Sequence, residues 1–298
     1  MEKLIFTPIQ LSDCPPISAL LAQMDSVSCE MNIGNLFMWR EQAKNVFTAY
    51  RNRIIVAAQV EEVMFFPLGE WLSPAELAEV TAQVNPYINN SGTIYDVPPE
   101  YLAAYPEINE FFQVEQSADY ADYIYDLTDL AELRGAKLRK KRNLIKQFTA
   151  ANPNVKIGEI TPDNIDEFYQ LSQELFGRLA VNDTLQKELE MWPEVHHYLF
   201  APELNMGSLT LSLDNRMIGF AIYSPLGQHA YDIHFEKVDH TIKGAPQFLV
   251  QELAKKLLTL GGRLMNREQD LGLPGLRQAK ESLAPLYLYQ RAILRSRG

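Results

Sequence analysis

Cysteine is scarce in this sequence, with only Cys14 and Cys29 among 298 residues. Neither has the Cys-x-x-Cys spacing of a zinc site, and the pair does not make a disulfide framework. Long hydrophobic runs are also missing, since no stretch approaches the roughly 18 apolar residues of a membrane span. The first residues lack the apolar segment and cleavage site of a secretory leader. We therefore expect a cytoplasmic protein without a membrane span.

Several familiar catalytic patterns are absent as well. The sequence contains no Gly-x-Ser-x-Gly, P-loop, His-Glu-x-x-His or dinucleotide-binding fingerprint. His196 and His197 are adjacent but have no third ligand near them in sequence, so we predict no metal site. We also expect no tightly bound cofactor.

Charge is distributed unevenly along the chain, whose formal net charge is −11. Residues 1–133 carry 5 Lys and Arg against 20 Asp and Glu, a balance of −15. Residues 134–298 carry 22 against 18, a balance of +4. The acidic half argues against a DNA or bilayer partner, whereas the second half could hold a phosphate-bearing ligand.

A repeated order of predicted elements organises the chain. Hydrophobic periodicity and turn residues predict β-α-α-β-β-β-α-β-α-β for the first half, which ends with an aromatic strand running to Tyr125. The second half gives the same order with almost no sequence identity, and its last strand is predicted at residues 286–294. The sequence therefore predicts two tandem copies of one unit.

Four segments carry a family resemblance. They are Asn-Ile-Gly-Asn-Leu-Phe-Met-Trp-Arg at 32–40, Asp-Tyr-Ile-Tyr at 122–125 with Lys-Lys-Arg-Asn at 140–143, His-Phe-Glu-Lys at 234–237, and residues 266–280. Together they resemble the phosphatidylglycerol lysyltransferase C-terminal domain family, many of whose members have no known function. The element order resembles the acetyltransferase-like GNAT fold, and its duplication resembles the peptidoglycan-bridge peptidyltransferases.

The resemblance implies a fold and an activity. We expect an α/β (α+β) protein of two tandem GNAT-like domains, with mixed central sheets flanked by helices. The expected boundaries are 1–133 for the first domain, 134–150 for a basic connecting helix, and 151–298 for the second domain, which carries the site.

Three functions remain open. The first is transfer of an aminoacyl or acyl group from a phosphate-bearing, aminoacyl-tRNA-like donor to an amine or hydroxyl. The second is acetyl-CoA-dependent N-acetylation, which would make an acyl-CoA the donor. The third is ligand or tRNA binding without catalysis on the same scaffold.

The basic segment between the halves holds seven cations in residues 134–146. On a helical wheel, Lys137 and Lys141 fall inside the apolar stripe, where a cation needs a partner. A solvated connecting helix is one interpretation, and a phosphate-binding cleft is the other. For the cleft, we predict contacts to donor phosphate from these residues: Lys137, Lys140, Lys141, Arg142 and Asn143.

A second phosphate contact is predicted at Lys243 and Gly244, before a helix that starts near residue 245. In the acetyltransferase fold this turn cradles a pyrophosphate, and glycine permits close backbone approach. The same pattern also fits an ordinary helix start, since the glycine is single and Pro246 removes a donor.

Strand alternation places Asp232, His234 and Glu236 on one face of a predicted strand. In an edge strand these side chains would meet water. In a central strand, Glu236 would accept a proton from an attacking amine and His234 would bind substrate.

Residues 266–280 combine carboxylates, cations and two glycines after a predicted buried strand. Alternation puts Asn266 and Glu268 on one face and Arg267 on the other. Glu268 is predicted as a second catalytic carboxylate. The remaining residues are predicted to bind substrate, or else to form a structural ion-pair network: Asn266, Arg267, Asp270, Arg277 and Lys280.

Overall fold

The computed structural model describes residues 4–178 and 183–297. In this part of the chain, the strands form two seven-stranded sheets. The first sheet contains, in spatial order, β1 (Thr7–Pro8), β2 (Asn45–Tyr50), β3 (Arg53–Ala58), β4 (Val63–Phe65), β5 (Thr93–Val97), β14 (Ala292–Ser296) and β6 (Phe112–Gln116). The second contains β13 (Tyr287–Tyr289), β7 (Asp122–Asp126), β12 (Leu264–Asn266), β11 (Ala230–Val238), β10 (Arg216–Leu226), β9 (Gly207–Leu213) and β8 (Lys156–Gly158). Both sheets are mixed, because β4 and β5 are parallel and so are β11 and β12.

Helices flank both sheets. They are α1 (Cys14–Met24), α2 (Ile33–Met38), α3 (Arg40–Ala43), α4 (Pro74–Val84), α5 (Pro99–Ala104), α6 (Leu127–Glu132), α7 (Arg139–Ala151), α8 (Ile165–Gly177), α9 (Asp183–Tyr198), α10 (Ala245–Thr259) and α11 (Pro274–Glu281). Local sequence explains where they begin: at α4, Ser73 accepts a hydrogen bond from the Glu76 N–H, and Pro74 occupies the first turn. None of the helices so described is both long and apolar enough to cross a bilayer.

The predicted last strand, residues 286–294, is in fact two strands in different sheets. β13 pairs with β7 in the second sheet, whereas β14 pairs with β5 and β6 in the first. The chain changes sheets at Arg291, whose guanidinium binds Asp96 at 2.7 Å and Asp122 at 3.0 Å. The sequence halves therefore exchange strands: β7 comes from the first half and β14 from the second.

The hydrophobic core also crosses between the halves. Phe37 of α2 belongs to the same buried cluster as Trp192, Phe220 and Phe235 of the second half. Trp192 packs edge-on against Phe235 at a centroid distance of 5.0 Å. Phe37 packs edge-on against Tyr198 of α9, so this cluster brings α2, α9 and β11 together at the junction where the polar residues of the site meet.

Candidate functional site

The candidate site lies where β11 and β12 run side by side toward α2. Asp232 on β11 is the parallel partner of Asn266 on β12, and both residues are fully buried. β12 ends here because Asn266 Oδ1 accepts a hydrogen bond from the Glu268 N–H at 2.6 Å. Glu268 takes a left-handed conformation with φ of 55°. This turn brings the Glu268 carboxyl beside Asp232.

A β-bulge at His234 shapes the other side of the site. In the pairing with β10, Phe235 lies opposite Ile222 and Ile233 lies opposite Tyr223, so His234 is the extra residue. The bulge reverses side-chain alternation along the rest of β11.

The prediction that Asp232, His234 and Glu236 share one face is therefore wrong. Asp232 and His234 contact Asn35 of α2, at 3.2 Å and 3.0 Å respectively. Glu236 instead pairs with Arg267 on the opposite face. The predicted separation of Arg267 from Glu268 agrees with the structure, because Arg267 pairs with Glu236 whereas Glu268 lies beside Asp232.

Asn35 is the hub that joins these groups. Its Nδ2 donates to the Cys29 carbonyl at 2.9 Å and lies 3.2 Å from Asp232 Oδ2 and 3.3 Å from Glu268 Oε1. Its Oδ1 faces Nδ1 of His234 at 3.0 Å. Because an amide oxygen only accepts, His234 donates through Nδ1–H.

The second nitrogen of His234 faces Ser224 of β10, which also contacts the N-cap residue of α2. Ser224 Oγ lies 2.8 Å from His234 Nε2 and accepts a hydrogen bond from Asn32 Nδ2 at 2.9 Å. Asn32 Oδ1 in turn caps α2 by accepting from the Gly34 N–H at 2.7 Å. One neutral tautomer of His234 satisfies all of these contacts.

Burial controls the charge of the cluster. It raises the pKa of Asp232 well above its usual range, and the nearby Glu268 raises it further. Burial likewise raises the pKa of Glu268 to about 8, and it lowers the pKa of His234 to about 4. Burial therefore disfavours the charged form of all three side chains. Asp232 Oδ1 is buried without a hydrogen-bond partner among the described residues.

The same three side chains offer ligand atoms within 4.8 Å of one another, a spacing that a metal ion could use. Both nitrogens of His234 already have partners, so ligation would require loss of the Asn35 or Ser224 contact. The hydrogen bonds explain the imidazole position without a metal, and we assign none.

Cations gather on the other face of the β12 end. Arg267 binds both Glu236 oxygens, at 2.9 and 2.8 Å, while its Nη1 is buried without a hydrogen-bond partner among the described residues. Lys141 Nζ donates to Ser282 Oγ at 2.8 Å. Burial and the charge of Arg267 lower the pKa of Lys141, and the same two causes bring that of Lys280 to about 8. This face therefore combines the Arg267–Glu236 ion pair with two lysines whose charged form is disfavoured.

Lys280 connects this face to the turn after β12. Its Nζ donates to the carbonyl oxygens of Arg267 and Gln269, the latter at 2.6 Å. The side chain thereby fixes the turn that carries Glu268.

Asp270 and Arg277 form a pair with each other. Arg277 donates to both Asp270 oxygens, at 2.7 and 2.9 Å, and also binds Asp119 at 2.6 Å. Tyr123 donates to Asp270 at 2.6 Å. The Arg277 hydrogen bonds hold the pKa of Asp270 well below its usual range. These contacts fit the structural ion-pair interpretation of this part of the segment.

Most residues of the basic segment point away from the cluster. Three are exposed: Lys137, Lys140 and Asn143. Arg142 donates to the backbone carbonyls of Leu133 and Gly135, which close the turn before α7. Of the five predicted phosphate contacts in this segment, the structure brings only Lys141 near Arg267.

The turn at Lys243 and Gly244 lies against α7. Lys243 is exposed, and Gly244 has φ of 89°. A Cβ at Gly244 would lie 2.7 Å from the Leu144 carbonyl oxygen and 2.8 Å from Phe148 Cβ. The start of α10 is therefore covered by α7.

Sequence reasoning missed the residues contributed by the first half. Asp122 accepts hydrogen bonds from Asn266 Nδ2 and from the Cys29 N–H, both at 2.8 Å. Asp96, which binds Ser28 and Arg291, has a pKa that burial raises to about 7. Asn35 and Asp122 lie in two of the family-like segments, 32–40 and 122–125, whereas Asp96 lies in none. No spacing rule links positions so far apart in the chain.

Comparisons with a family profile and with solved structures show which proteins this chain resembles. The family profile described as phosphatidylglycerol lysyltransferase, C-terminal, matches residues 21–293. A conserved protein of unknown function from Bacteroides thetaiotaomicron is 26% identical, with a TM-score of 0.91 over 99% of this chain and 100% of that one. L-PGS from Bacillus licheniformis is 16% identical, with a TM-score of 0.63 over 95% and 91%.

The crystal structure of FemX is 9% identical, with a TM-score of 0.60 over 99% of this chain and 97% of that one. No functionally curated protein matches the chain. These likenesses confirm the predicted α/β fold of two tandem GNAT-like units with mixed sheets.

Proposed function

Because the chain belongs to the phosphatidylglycerol lysyltransferase C-terminal family, we propose that it is an aminoacyltransferase. It moves an aminoacyl group from a phosphate-bearing donor, such as an aminoacyl-tRNA, to an amine or hydroxyl. The observation that carries the proposal is the Glu268 carboxyl, whose pKa of about 8 suits a proton acceptor near neutral pH. The family name makes phosphatidylglycerol the first hydroxyl acceptor to test.

In this reaction Glu268 accepts the proton of the attacking amine or hydroxyl. The attacking atom forms a bond to the carbonyl carbon of the donor ester. The bond from that carbon to the donor sugar oxygen then breaks, and this oxygen takes up the proton. Asn35 Nδ2 orients the Glu268 carboxyl. Asn35 Oδ1 accepts the hydrogen bond from Nδ1 that holds neutral His234 beside Glu268.

The buried carboxyl groups also suit the amino group of an aminoacyl moiety. An ammonium ion placed beside Asp232 and Glu268 would lower the pKa of both, because an opposite charge favours the ionised form. Substrate binding would thus convert Glu268 into an active base. On the opposite face, Lys141 and Arg267 would neutralise donor phosphate.

Glu236 is less suited to proton transfer than Glu268. Both of its oxygens accept hydrogen bonds from Arg267, so this carboxylate is held in an ion pair. Its proposed part is to orient Arg267 toward the donor.

Acetyl-CoA is the weaker donor candidate. A pyrophosphate would need the open start of α10, and Gly244 is packed there against Leu144 and Phe148. The packing of Gly244 against α7 disfavours a CoA pyrophosphate at the start of α10, and this supports an aminoacyl donor.

Transfer is tested with a mixture of radiolabelled aminoacyl-tRNAs and either phosphatidylglycerol vesicles or soluble amines. We expect label to leave the RNA and appear in one acceptor class. Glu268→Gln should lower the rate by about 100-fold or more, the scale of general-base catalysis. Glu281→Gln, which changes an exposed carboxylate on α11, is the matched control and should retain full activity.

Two results would count against the proposal. Release of CoA from acetyl-CoA without aminoacyl transfer would make the protein an acetyltransferase. Tight tRNA binding without transfer to any acceptor would make it a binding protein.

A further inference from the structure

A chain of buried hydrogen bonds links the N-cap of α2 to the candidate base. It runs from Asn32 through Ser224 and His234 to Asn35, whose amide contacts Glu268. We propose that Ser224 is a positioning residue for Glu268, on which it acts through His234 and Asn35. This inference rests on the proposed role of Glu268 as the proton acceptor.

Strand geometry explains why Ser224 reaches the imidazole. Ser224 on β10 lies opposite Asp232 on β11, so their side chains share one face of the sheet. His234 is the extra residue of the bulge, and it contacts Asn35 as Asp232 does. The Ser224 hydroxyl therefore lies beside the imidazole, 2.8 Å from Nε2.

Backbone groups fix the direction of the chain at the end formed by Asn32. The Gly34 N–H can only donate, and it lies 2.7 Å from Asn32 Oδ1. Asn32 Nδ2 is therefore on the other side, where it donates to Ser224 Oγ at 2.9 Å and to the Pro225 carbonyl at 3.3 Å. Since that carbonyl can only accept, both backbone contacts require the same orientation of the amide.

A backbone carbonyl fixes the direction at the opposite end as well. The Cys29 carbonyl can only accept, and Asn35 Nδ2 lies 2.9 Å from it. Asn35 Oδ1 must then face His234, and it requires a proton on Nδ1 of the imidazole.

The position of the Ser224 proton follows from these two ends. The hydroxyl has one proton and two acceptors within reach, His234 Nε2 at 2.8 Å and Asn32 Oδ1 at 3.0 Å. Asn32 Oδ1 already accepts from Gly34, whereas Nε2 has no other hydrogen-bond partner in the described part of the chain. Ser224 therefore donates to Nε2, and this bond satisfies the second nitrogen of the neutral imidazole.

The chain ends on the carboxyl groups of the site. One N–H of Asn35 Nδ2 serves the Cys29 carbonyl, and the other faces Asp232 Oδ2 at 3.2 Å and Glu268 Oε1 at 3.3 Å. An N–H directed at a carboxyl group favours its ionised form, which is the form of Glu268 that accepts a proton. Without the Ser224 hydroxyl, Nε2 is a buried acceptor without a donor, so the imidazole no longer holds Asn35 in one position.

The first measurement is the tautomer of His234 in the full chain, and it needs no substrate. Imidazole 15N chemical shifts identify the tautomer, and His234→Gln identifies the His234 signals among those of the five histidines. The parent protein should contain only the neutral form with the proton on Nδ1. Ser224→Ala should shift the Nε2 signal and admit the second tautomer.

The second measurement is the pH dependence of kcat/KM for aminoacyl transfer. Ser224→Ala should lower the rate by about tenfold, because Glu268 is less well oriented. It should also move the half-maximal rate to higher pH, because Asn35 supports the ionised carboxyl less. Ser224→Thr retains the hydroxyl and should restore both properties.

Two substitutions at the imidazole separate its two contacts. The amide of His234→Asn lies near the position of Nδ1 and can still donate to Asn35, whereas that of His234→Gln lies near Nε2 and faces Ser224. If the chain acts through Asn35, transfer should be retained better in His234→Asn than in His234→Gln.

Ser208→Ala is the matched control. Ser208 is a buried serine of β9 that accepts a hydrogen bond from the Ile160 N–H at 2.9 Å, outside this chain. The substitution should lower stability as Ser224→Ala does, yet leave the His234 tautomer and the pH profile unchanged. Thermal unfolding of every variant checks that the fold is kept.

Two outcomes would overturn the inference. One is a parent protein whose His234 carries its proton on Nε2 or is an imidazolium. The other is a Ser224→Ala protein that loses only stability, as Ser208→Ala does. If the parent protein transfers no aminoacyl group, the proposed function fails, and the titration of Glu268 followed by 13C NMR decides the inference by itself. The midpoint of that titration should then be higher in Ser224→Ala than in the parent, and equal midpoints would contradict a positioning role.

Discussion

Asn35 accepts a hydrogen bond from Nδ1 of His234, at 3.0 Å, although 199 positions separate them in the chain. The bond joins α2 to the bulge in β11. The Asn35 amide also lies within 3.3 Å of the Asp232 and Glu268 carboxyl groups. One side chain therefore orients both carboxyl groups and the imidazole.

Asn35→Ala should therefore lower aminoacyl transfer by about tenfold or more, because Glu268 and His234 lose a shared partner. It should also destabilise the fold by roughly 1–3 kcal/mol, the usual cost of leaving buried polar groups unpaired. Asn45→Ala is the matched control. This buried asparagine donates to the Leu36 carbonyl at 3.1 Å outside the site, so its loss should affect stability only. Equal effects on transfer would remove Asn35 from the catalytic arrangement.

The pH dependence of transfer should report Glu268. Burial raises its pKa to about 8, and the base must be deprotonated to act, so kcat/KM should rise from pH 6, pass through half its maximum near pH 8 and level off above about pH 9. Glu268→Gln should give a low and flat profile. A parent profile that levels off near pH 5 would point to an exposed carboxylate instead.

Gly244→Ala should destabilise the protein by about 2–4 kcal/mol through two effects. The position has φ of 89°, and the added Cβ would meet the Leu144 carbonyl oxygen at 2.7 Å. Gly261→Ala separates the backbone effect from the steric effect, because φ at Gly261 is 87° but nothing lies within 4 Å of the added Cβ. Urea unfolding should show that Gly261→Ala costs only about 1 kcal/mol. Equal costs would mean that α7 does not hold the start of α10 tightly.

Asp96 should make the fold less stable as pH rises. Burial raises its folded-state pKa to about 7, so the folded chain keeps a proton that the unfolded chain loses near pH 4. Between these values the unfolding free energy falls with increasing pH. Asp96→Asn should remove this pH dependence. Between pH 5 and pH 8, the free energy of unfolding of the variant should therefore rise by on the order of 1–3 kcal/mol relative to that of the parent. Parallel stability curves for the two proteins in urea would contradict the assignment.

Local patterns were enough to predict much of the fold. The start of α10 was predicted near residue 245 and is observed at Ala245, because turn residues and a helical pattern are both read from neighbouring positions. The duplicated order of elements and the family resemblance agree with the comparisons.

The site was only partly predictable, for two physical reasons. Alternation assumes an unbroken strand, and one inserted residue at His234 moved Glu236 to the other face. The remaining groups come from distant elements: Asn35 and Asp122 reach the site only after α2 packs on β11 and β7 joins the second sheet. Whether Lys137, Lys140 and Lys243 bind phosphate stays a prediction.

The exchange of β7 and β14 determines how far the first sheet can fold while the chain is still being synthesised. During synthesis the N-terminal half leaves the ribosome first, and domains usually fold in that order. The first sheet, however, has a gap between β5 and β6 that only residues 292–296 fill. A nascent chain that is stalled anywhere before this point leaves both facing strand edges open to foreign strands. Residues 292–296 therefore determine when the strands of residues 7–116 can complete their sheet, and truncation before residue 292 should be as damaging as a break in the middle of the chain.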